Sequence, residues 1–197
     1  LHYRKNDRRM REGDLLLVDA GSEYGYYASD VTRTFPVNGR FSPAQRAVYE
    51  VVLAAELEAI RAVRVGATVE DVHQAAVRIV LQGLVDLGVI SGPLDKALEE
   101  ERHKPWFMHR TSHWLGMDVH DVGSYHLHGT PRPLETGMVL TVEPGLYFSS
   151  TDERVPAELR GIGVRIEDDV AVMDSTPLVL TESIPKRIDD VERACAA

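Results

Sequence analysis

The chain has 197 residues, 44% of them apolar and 27% charged, with a net charge of −9, the make-up of one ordinary globular domain able to bury roughly 70% of its unfolded surface. No apolar run approaches the ~18–20 residues of a membrane span, and Leu15 to Val18 is typical of the strand-sized runs present. The negative balance excludes a nucleic-acid or anionic-membrane surface, both of which need clustered Lys and Arg, and leaves room for carboxylates that converge on cations.

Leu1 in place of Met predicts a processed chain or a part of a longer one, and no secretory leader is legible. Gly13-Asp14-Leu15-Leu16-Leu17-Val18 reads as a mostly buried strand that delivers Asp19 into the turn Ala20-Gly21. Tyr24 to Val37 reads as extended, rich in Tyr, Val, Thr and Phe, and the 11-residue gap from Asp19 to Asp30 suits two strands joined by a Glu23-to-Tyr27 loop. Ser42-Pro43 opens a helix to about Val63, with Ser as N-cap and Pro at the first helical position. Its apolar stripe is Val48, Val51, Val52, Ala55 and Ala59. A second helix starts at Thr68, with Asp71 as capping-box partner, and stops near Leu87 at Gly88. Gly92-Pro93 opens a short third helix ending in the solvated run Glu99-Glu100-Glu101. After Pro105 the chain becomes rich in His and aromatic residues, and further strands follow. No low-complexity linker divides it, so residues 1–197 read as one α+β domain. The single cysteine, Cys195, cannot form an internal disulfide and fits a reducing, cytoplasmic setting.

One internal repeat stands out. Gly13-Asp-Leu-Leu-Leu-Val-Asp19-Ala-Gly21 and Gly137-Met-Val-Leu-Thr-Val-Glu143-Pro-Gly145 share Gly-x-x-Leu-x-Val-acid-x-Gly. The shared pattern predicts pseudo-symmetric half-domains, with one carboxylate from each meeting in the middle.

Four carboxylates and a histidine stand at strand ends or turns: Asp19, Asp30, His113, Glu143 and Glu167. A lone acid in such a place is more often a surface or capping residue. Here several apolar strands carry acids at their tips, and apolar strands point into the interior, where an ionised carboxylate is costly unless paired. Gathered together, the four would raise one another's pKa values. Arg33 and Arg165 are too few to neutralise them, whereas two divalent cations supply the matching charge. An oxygen-rich set with one imidazole favours Mn²⁺, with Co²⁺, Fe²⁺ or Zn²⁺ as alternatives, over the Cys and His of closed structural zinc. A water shared by two such ions becomes a nucleophile near neutral pH.

The same segments carry a resemblance. Val18-Asp-Ala-Gly21, Ser29-Asp-Val-Thr-Arg-Thr34, Ser112-His-Trp-Leu-Gly-Met-Asp-Val-His-Asp-Val-Gly123, Thr141-Val-Glu-Pro-Gly-Leu-Tyr147 and Gly163-Val-Arg-Ile-Glu-Asp168 resemble the pita-bread metallopeptidases. That family includes methionine aminopeptidase, prolidase, creatinase and aminopeptidase P, and the Ser-His-Trp-Leu-Gly run is most similar to aminopeptidase P. The resemblance spans essentially the whole chain. It implies a pita-bread fold, incomplete at its N-terminal side, and Xaa-Pro aminopeptidase activity on peptides with proline second. It implies Asp19 on one metal, Asp30 and Glu167 bridging two, and His113 and Glu143 on the other. Glu143 would also act as general base. His120 and His109 would contact the scissile carbonyl or the proline side, and His2 would help bind substrate. Arg165 and Tyr147 would orient the carboxylates. A homo-oligomer is implied for a full-length parent.

One departure stands out, since the family's His-Gly-x-x-His has Arg110 where glycine is usual, which predicts a narrower site or lower activity. His73, His103, His126 and His128 match no motif and read as surface or core residues. Trp106 and Trp114 read as packing rather than as walls of a proline pocket. Prolidase activity and a non-catalytic peptide-binding module are the alternatives. Creatinase chemistry is disfavoured, because all five ligand positions are filled.

Overall fold

The computed structural model describes residues 5–196. Strand β1 (Leu15–Ala20) pairs antiparallel with β4 (Val31–Pro36), from Leu15 opposite Pro36 to Ala20 opposite Val31. Between them stands a separate hairpin, β2 (Glu23–Tyr24) and β3 (Tyr27–Ala28), with Tyr24 opposite Tyr27. The extended run expected from Tyr24 to Val37 is therefore broken. Gly25 and Tyr26 both adopt positive φ, +58° and +74°, as a two-residue turn matched to strand twist requires. The Tyr26 amide is held there by the Glu23 carboxylate at 3.0 Å.

Helix α1 (Pro43–Ala62) begins where expected. Ser42 accepts from the Gln45 amide while the Gln45 side chain accepts from the Ser42 amide. Helix α2 (Val69–Asp86) opens with the corresponding box between Thr68 and Asp71 and ends ahead of Gly88, whose φ is +70°. The two helices pack on each other through Val48, Val52, Ala55 and Ala59 against Val72, Ala76, Val77 and Val80, all fully buried. Each such valine contributes on the order of 1.5 kcal/mol by leaving water. Gly83 sets the closeness of the crossing, because a Cβ there would stand 2.3 Å from Val51 Cγ1. Helix α3 (Leu94–Glu99) is short, as its Gly-Pro start suggests.

The second half carries β5 (His126–Leu127) paired with β6 (Thr130–Pro131), then β7 (Val139–Val142), β8 (Gly145–Tyr147), β9 (Gly163–Arg165), β10 (Asp168–Ala171), β11 (Leu178–Val179) and helix α4 (Ile188–Cys195). Strand β10 lies between β11 and β7, and β8 pairs with β9, all antiparallel. Helix α1 lies against β7, β8 and β9, and α4 against β4. The repeat seen in sequence marks equivalent places: Gly13 and Gly137 take φ of +87° and +90° immediately before β1 and β7.

One expectation fails. Strand β1 is not mostly buried: Leu16 and Val18 keep 38% and 37% of their surface exposed. Among the described residues it pairs with β4 on one side only, and β9 lies alongside it. No helix among the described residues is long and apolar enough to cross a membrane.

Candidate metal centre

The acids arrive from both ladders. Asp19 sits within β1 opposite Thr32. Asp30 precedes β4, Glu143 follows β7, and Glu167 precedes β10. His113 comes from the segment alongside β7, its carbonyl accepting from the Thr141 amide and its amide donating to Thr141 Oγ1. One oxygen each from Asp30 and Glu167 and one nitrogen of His113 lie within 4.8 Å of one another. Glu143 Oε1 is 3.6 Å from His113 Nε2, and Asp30 Oδ2 is 3.5 Å from it. Asp19 stands beside Asp30 but faces water on its other side, and its Oδ2 accepts from Arg165 Nη2 at 2.5 Å. Arg165 therefore pairs with one of the four acids. Arg33 turns away from the set to Asp168.

The histidine's orientation carries information. His113 Nδ1 faces the Trp114 carbonyl oxygen at 3.0 Å, and a carbonyl can only accept, so Nδ1 carries the proton. In the neutral ring the Nε2 lone pair then points at two carboxylate oxygens. Three electron-rich atoms in that arrangement need a positive charge between them, either a cation or protons. Without a cation, protons serve. Burial depresses the His113 imidazole, but the hydrogen bond to Asp30, the Trp114 carbonyl and the charges of Glu143 and Asp30 outweigh it, leaving the pKa raised. Burial pushes Glu143 up to about 7, with the charges of Asp30 and Asp19 adding to it. Glu167, 1% exposed, rises to about 9 through burial and the charges of Glu143 and Asp30. Burial raises Asp30 as well, yet hydrogen bonds from His113 and Asp19 bring it below the usual range. A hard, oxygen-rich donor set that must otherwise hold protons fits a divalent cation.

Around these groups a hydrogen-bonded chain runs to the mouth of the site. Thr32 Oγ1 donates to Glu167 Oε2 at 2.5 Å and accepts from Arg165 Nε at 3.1 Å. Arg165 Nη1 donates to the Tyr147 hydroxyl at 3.1 Å, and that hydroxyl lies 2.8 Å from His109 Nε2. His109 Nδ1 is 2.8 Å from the Arg110 carbonyl oxygen and so carries the ring proton, which makes Tyr147 the donor to Nε2. His120 is exposed, its ring centroid 4.4 Å from that of His113. His2 lies outside the described residues. All of this opens on a cleft of about 2160 Å³.

Arg110 lines the cleft. Its guanidinium pairs with Glu70 at the start of α2, across the cleft rim. His73 and His103 are buried beside Phe107, and His126 and His128 are exposed. Trp114 stacks on Tyr125 with centroids 5.3 Å apart, and Trp106 donates to Asp152 while carrying Arg154 on its face, so both are packing residues.

Sequence reasoning missed Asp169 and Thr32. The Asp30 amide donates to Asp169 at 3.2 Å, and burial, with the charges of Asp30 and Asp168, raises Asp169 to about 6. The available signal was the run Glu167-Asp168-Asp169 at the head of an otherwise apolar strand.

The model of metallopeptidase family M24 matches residues 1–174. The chain is 49% identical over 197 residues to the Xaa-Pro aminopeptidase of Escherichia coli strain K12, covering all of this chain and 44% of that protein. It is also 49% identical over 192 residues to the Xaa-Pro aminopeptidase of Haemophilus influenzae, covering 98% of this chain and 44% of that one. Among solved structures, the Pseudomonas aeruginosa aminopeptidase PepP superposes with a TM-score of 0.98 at 50% identity, over all of this chain and 44% of that one. Proline aminopeptidase P II from Yersinia pestis gives 0.95 at 52%, over all of this chain and 45% of that one. The chain thus spans less than half the length of these relatives, and its architecture is that part of their pita-bread fold. Aminopeptidase P of E. coli has been solved with zinc substituted and product bound. On the strength of a match over most of its length, this chain belongs to metallopeptidase family M24.

Proposed function

We propose that this chain is the catalytic part of an Xaa-Pro aminopeptidase, which hydrolyses the bond between an N-terminal residue and a following proline with the help of two divalent cations, Mn²⁺ by preference. The observation that carries the reading is the His113 Nε2 lone pair aimed at oxygens of Asp30 and Glu143 with the ring proton fixed on Nδ1. Asp19, Asp30, His113, Glu143 and Glu167 would hold the cations. When bound, the cations supply Lewis acidity for the scissile carbonyl and for an attacking water.

The chain's own groups do the rest. Glu143 accepts the proton of the attacking water and passes it to the leaving proline nitrogen, a task suited to a carboxylate whose surroundings push it towards neutrality. His109, locked by Tyr147 and the Arg110 carbonyl, and His120, beside His113, face the peptide and stabilise charge that develops on the carbonyl oxygen. His2 contributes to substrate binding. Arg165 holds Asp19 and Tyr147 at once, so metal side and substrate side keep a fixed relation. Peptides with proline second are the substrates. A cytoplasmic location, supported by the lone Cys195, and a homo-oligomeric full-length parent complete the proposal.

Two measurements test it. The chain should bind about two Mn²⁺ that a chelator removes, and should release the first residue from Xaa-Pro-Xaa tripeptides. Cleavage confined to Xaa-Pro dipeptides would instead identify a prolidase, and a chain that binds no divalent ion would be a peptide-binding module.

A further inference from the structure

Behind the metal centre lies a second, largely buried set of charges that takes no part in the proposed reaction. Asp168 is wholly buried and adjoins Glu167. Its Oδ1 accepts from Arg33 Nη2 at 2.8 Å and from Thr181 Oγ1 at 2.6 Å, and its Oδ2 from Lys186 Nζ at 2.5 Å. Lys186 donates a second time, to Glu56 Oε1 at 2.6 Å, and Glu56 is itself wholly buried in the middle of α1.

Arg33 uses all five of its N–H groups. Nε donates to the Pro185 carbonyl, Nη2 to the Ile184 carbonyl as well as to Asp168, and Nη1 to the carbonyls of Thr32 and Glu167, the last at 2.5 Å. A planar guanidinium with every donor engaged admits one arrangement of its partners. Thr181 Oγ1 also accepts from the Asp169 amide at 3.1 Å, and Asp169 in turn accepts from the Asp30 amide.

The backbones at Glu167 and at Asp30 are thus tied, each through one intermediary residue (Arg33 and Asp169), to the segment from Thr181 to Lys186. That segment lies beyond the family match, which ends at residue 174. Burying charged groups costs several kcal/mol per ion unless the geometry is tight. An apolar core would hold the segment equally well, so its charges call for a reason other than cohesion.

We propose that Arg33, Thr181 and Lys186 are positioning residues: a buried electrostatic clamp, closed by the 181–186 segment, that fixes Glu167 and Asp30 at the spacing that a pair of divalent cations requires. The proposal rests on the metal-centre reading above. Docking of the segment and binding of the cations are consequently coupled, each favouring the other.

Calorimetric titration of the 197-residue chain with Mn²⁺ tests this, alongside thermal melting in chelator. Thr181→Val removes two of the clamp's hydrogen bonds without stranding a charge. Lys186→Met combined with Glu56→Gln removes the ammonium and its buried carboxyl partner together, so neither is left stranded. Both should lower Mn²⁺ affinity about tenfold or more while keeping most of the metal-free melting temperature, and Lys186→Arg should restore much of the affinity. Unchanged affinity in both folded variants overturns the clamp and leaves the metal centre standing. Weakened binding only where the metal-free melting temperature also collapses assigns the network to folding alone and likewise overturns it. Wild-type chain that binds no divalent ion overturns the clamp together with the reading beneath it.

Discussion

In β7, Leu140 and Val142 are wholly withdrawn from water, whereas Leu16 and Val18 at the matching places of β1 keep more than a third of their surface exposed. The two strands share a sequence pattern, a positive-φ glycine ahead of them and an acid near their end. They differ in cover: helix α1 lies on β7, whereas β1 pairs with β4 and has β9 alongside. The consequence is electrostatic. Asp19, on the open ladder, meets solvent and Arg165, while Glu143 and Glu167, on the covered one, are pushed to about 7 and about 9. Local sequence places the acids, and tertiary cover decides which of them a cation must neutralise.

The largest effect expected from this contrast is at Glu143. Glu143→Ala removes a cation donor and the proton acceptor together, and kcat/KM on an Xaa-Pro-Xaa peptide should fall by about 10³ or more. A rate near wild type would end the mechanism.

Next comes the pH dependence of the metal-free chain. Glu167 binds its proton more tightly folded than unfolded, so between about 4.5 and about 9 the native state holds more protons, and stability falls as pH rises through that window. The loss should be on the order of a few kcal/mol, since each pKa unit is worth about 1.4 kcal/mol. Glu167→Gln should flatten the slope, and saturating Mn²⁺ should abolish it in the wild-type chain. Melting curves across the window, in chelator and in Mn²⁺, read both, and a chelated wild-type chain with no downward slope would break the contrast.

An opposite slope belongs to His73, away from the cations. Burial, with the charge of Arg110, lowers its pKa from 6.5 to about 4, and Nδ1 bonds to Thr111 Oγ1 at 2.8 Å. The unfolded chain then binds more protons between those values, so stability is full above about 6.5 and is lost as pH falls towards about 4. The difference is roughly 3 kcal/mol. His73→Gln should remove that share of acid sensitivity, seen as a smaller fall in melting temperature between the two pH values.

The smallest effect is expected at Arg110. Its guanidinium lines the cleft but is held by Glu70 at the start of α2. Arg110→Gly should therefore leave kcat/KM within about threefold and change stability by less than about 1 kcal/mol, as befits an exposed ion pair. A large loss of activity would give the guanidinium a task at the substrate.

Much of the fold was legible because its signals are local. Ser42, Thr68 and Gly88 mark helix ends through hydrogen bonds and turns within a few residues, and the structure starts and stops the helices there. The loop from Glu23 to Tyr27 was legible as the link between the strands that carry Asp19 and Asp30, but its own hairpin pairing was not, because Tyr is a poor advertisement for positive φ. The exposure of β1 escaped because a run of Leu and Val states what a strand could bury and not whether anything covers it. For the site, the residue types disclosed which groups gather, while the partition of Arg165 to Asp19 and Arg33 to Asp168 depends on which way each side chain leaves its strand. Glu56 could have been suspected, since it falls four residues after Val52 on the buried face of α1, a place where a lone carboxylate needs a partner. That partner, Lys186, lies 130 residues away, beyond the reach of any local pattern.

Those separations bear on how the molecule assembles. Thr32 reaches Glu167 across 135 positions and Arg165 reaches Asp19 across 146. Contacts that distant come at a high loop-closure cost and delay folding. A nascent chain therefore possesses no preformed cradle for a cation until both acid-bearing hairpins have met. Uptake of Mn²⁺ during refolding would consequently register the last long-range closure rather than an early collapse, and would serve as a clock for it.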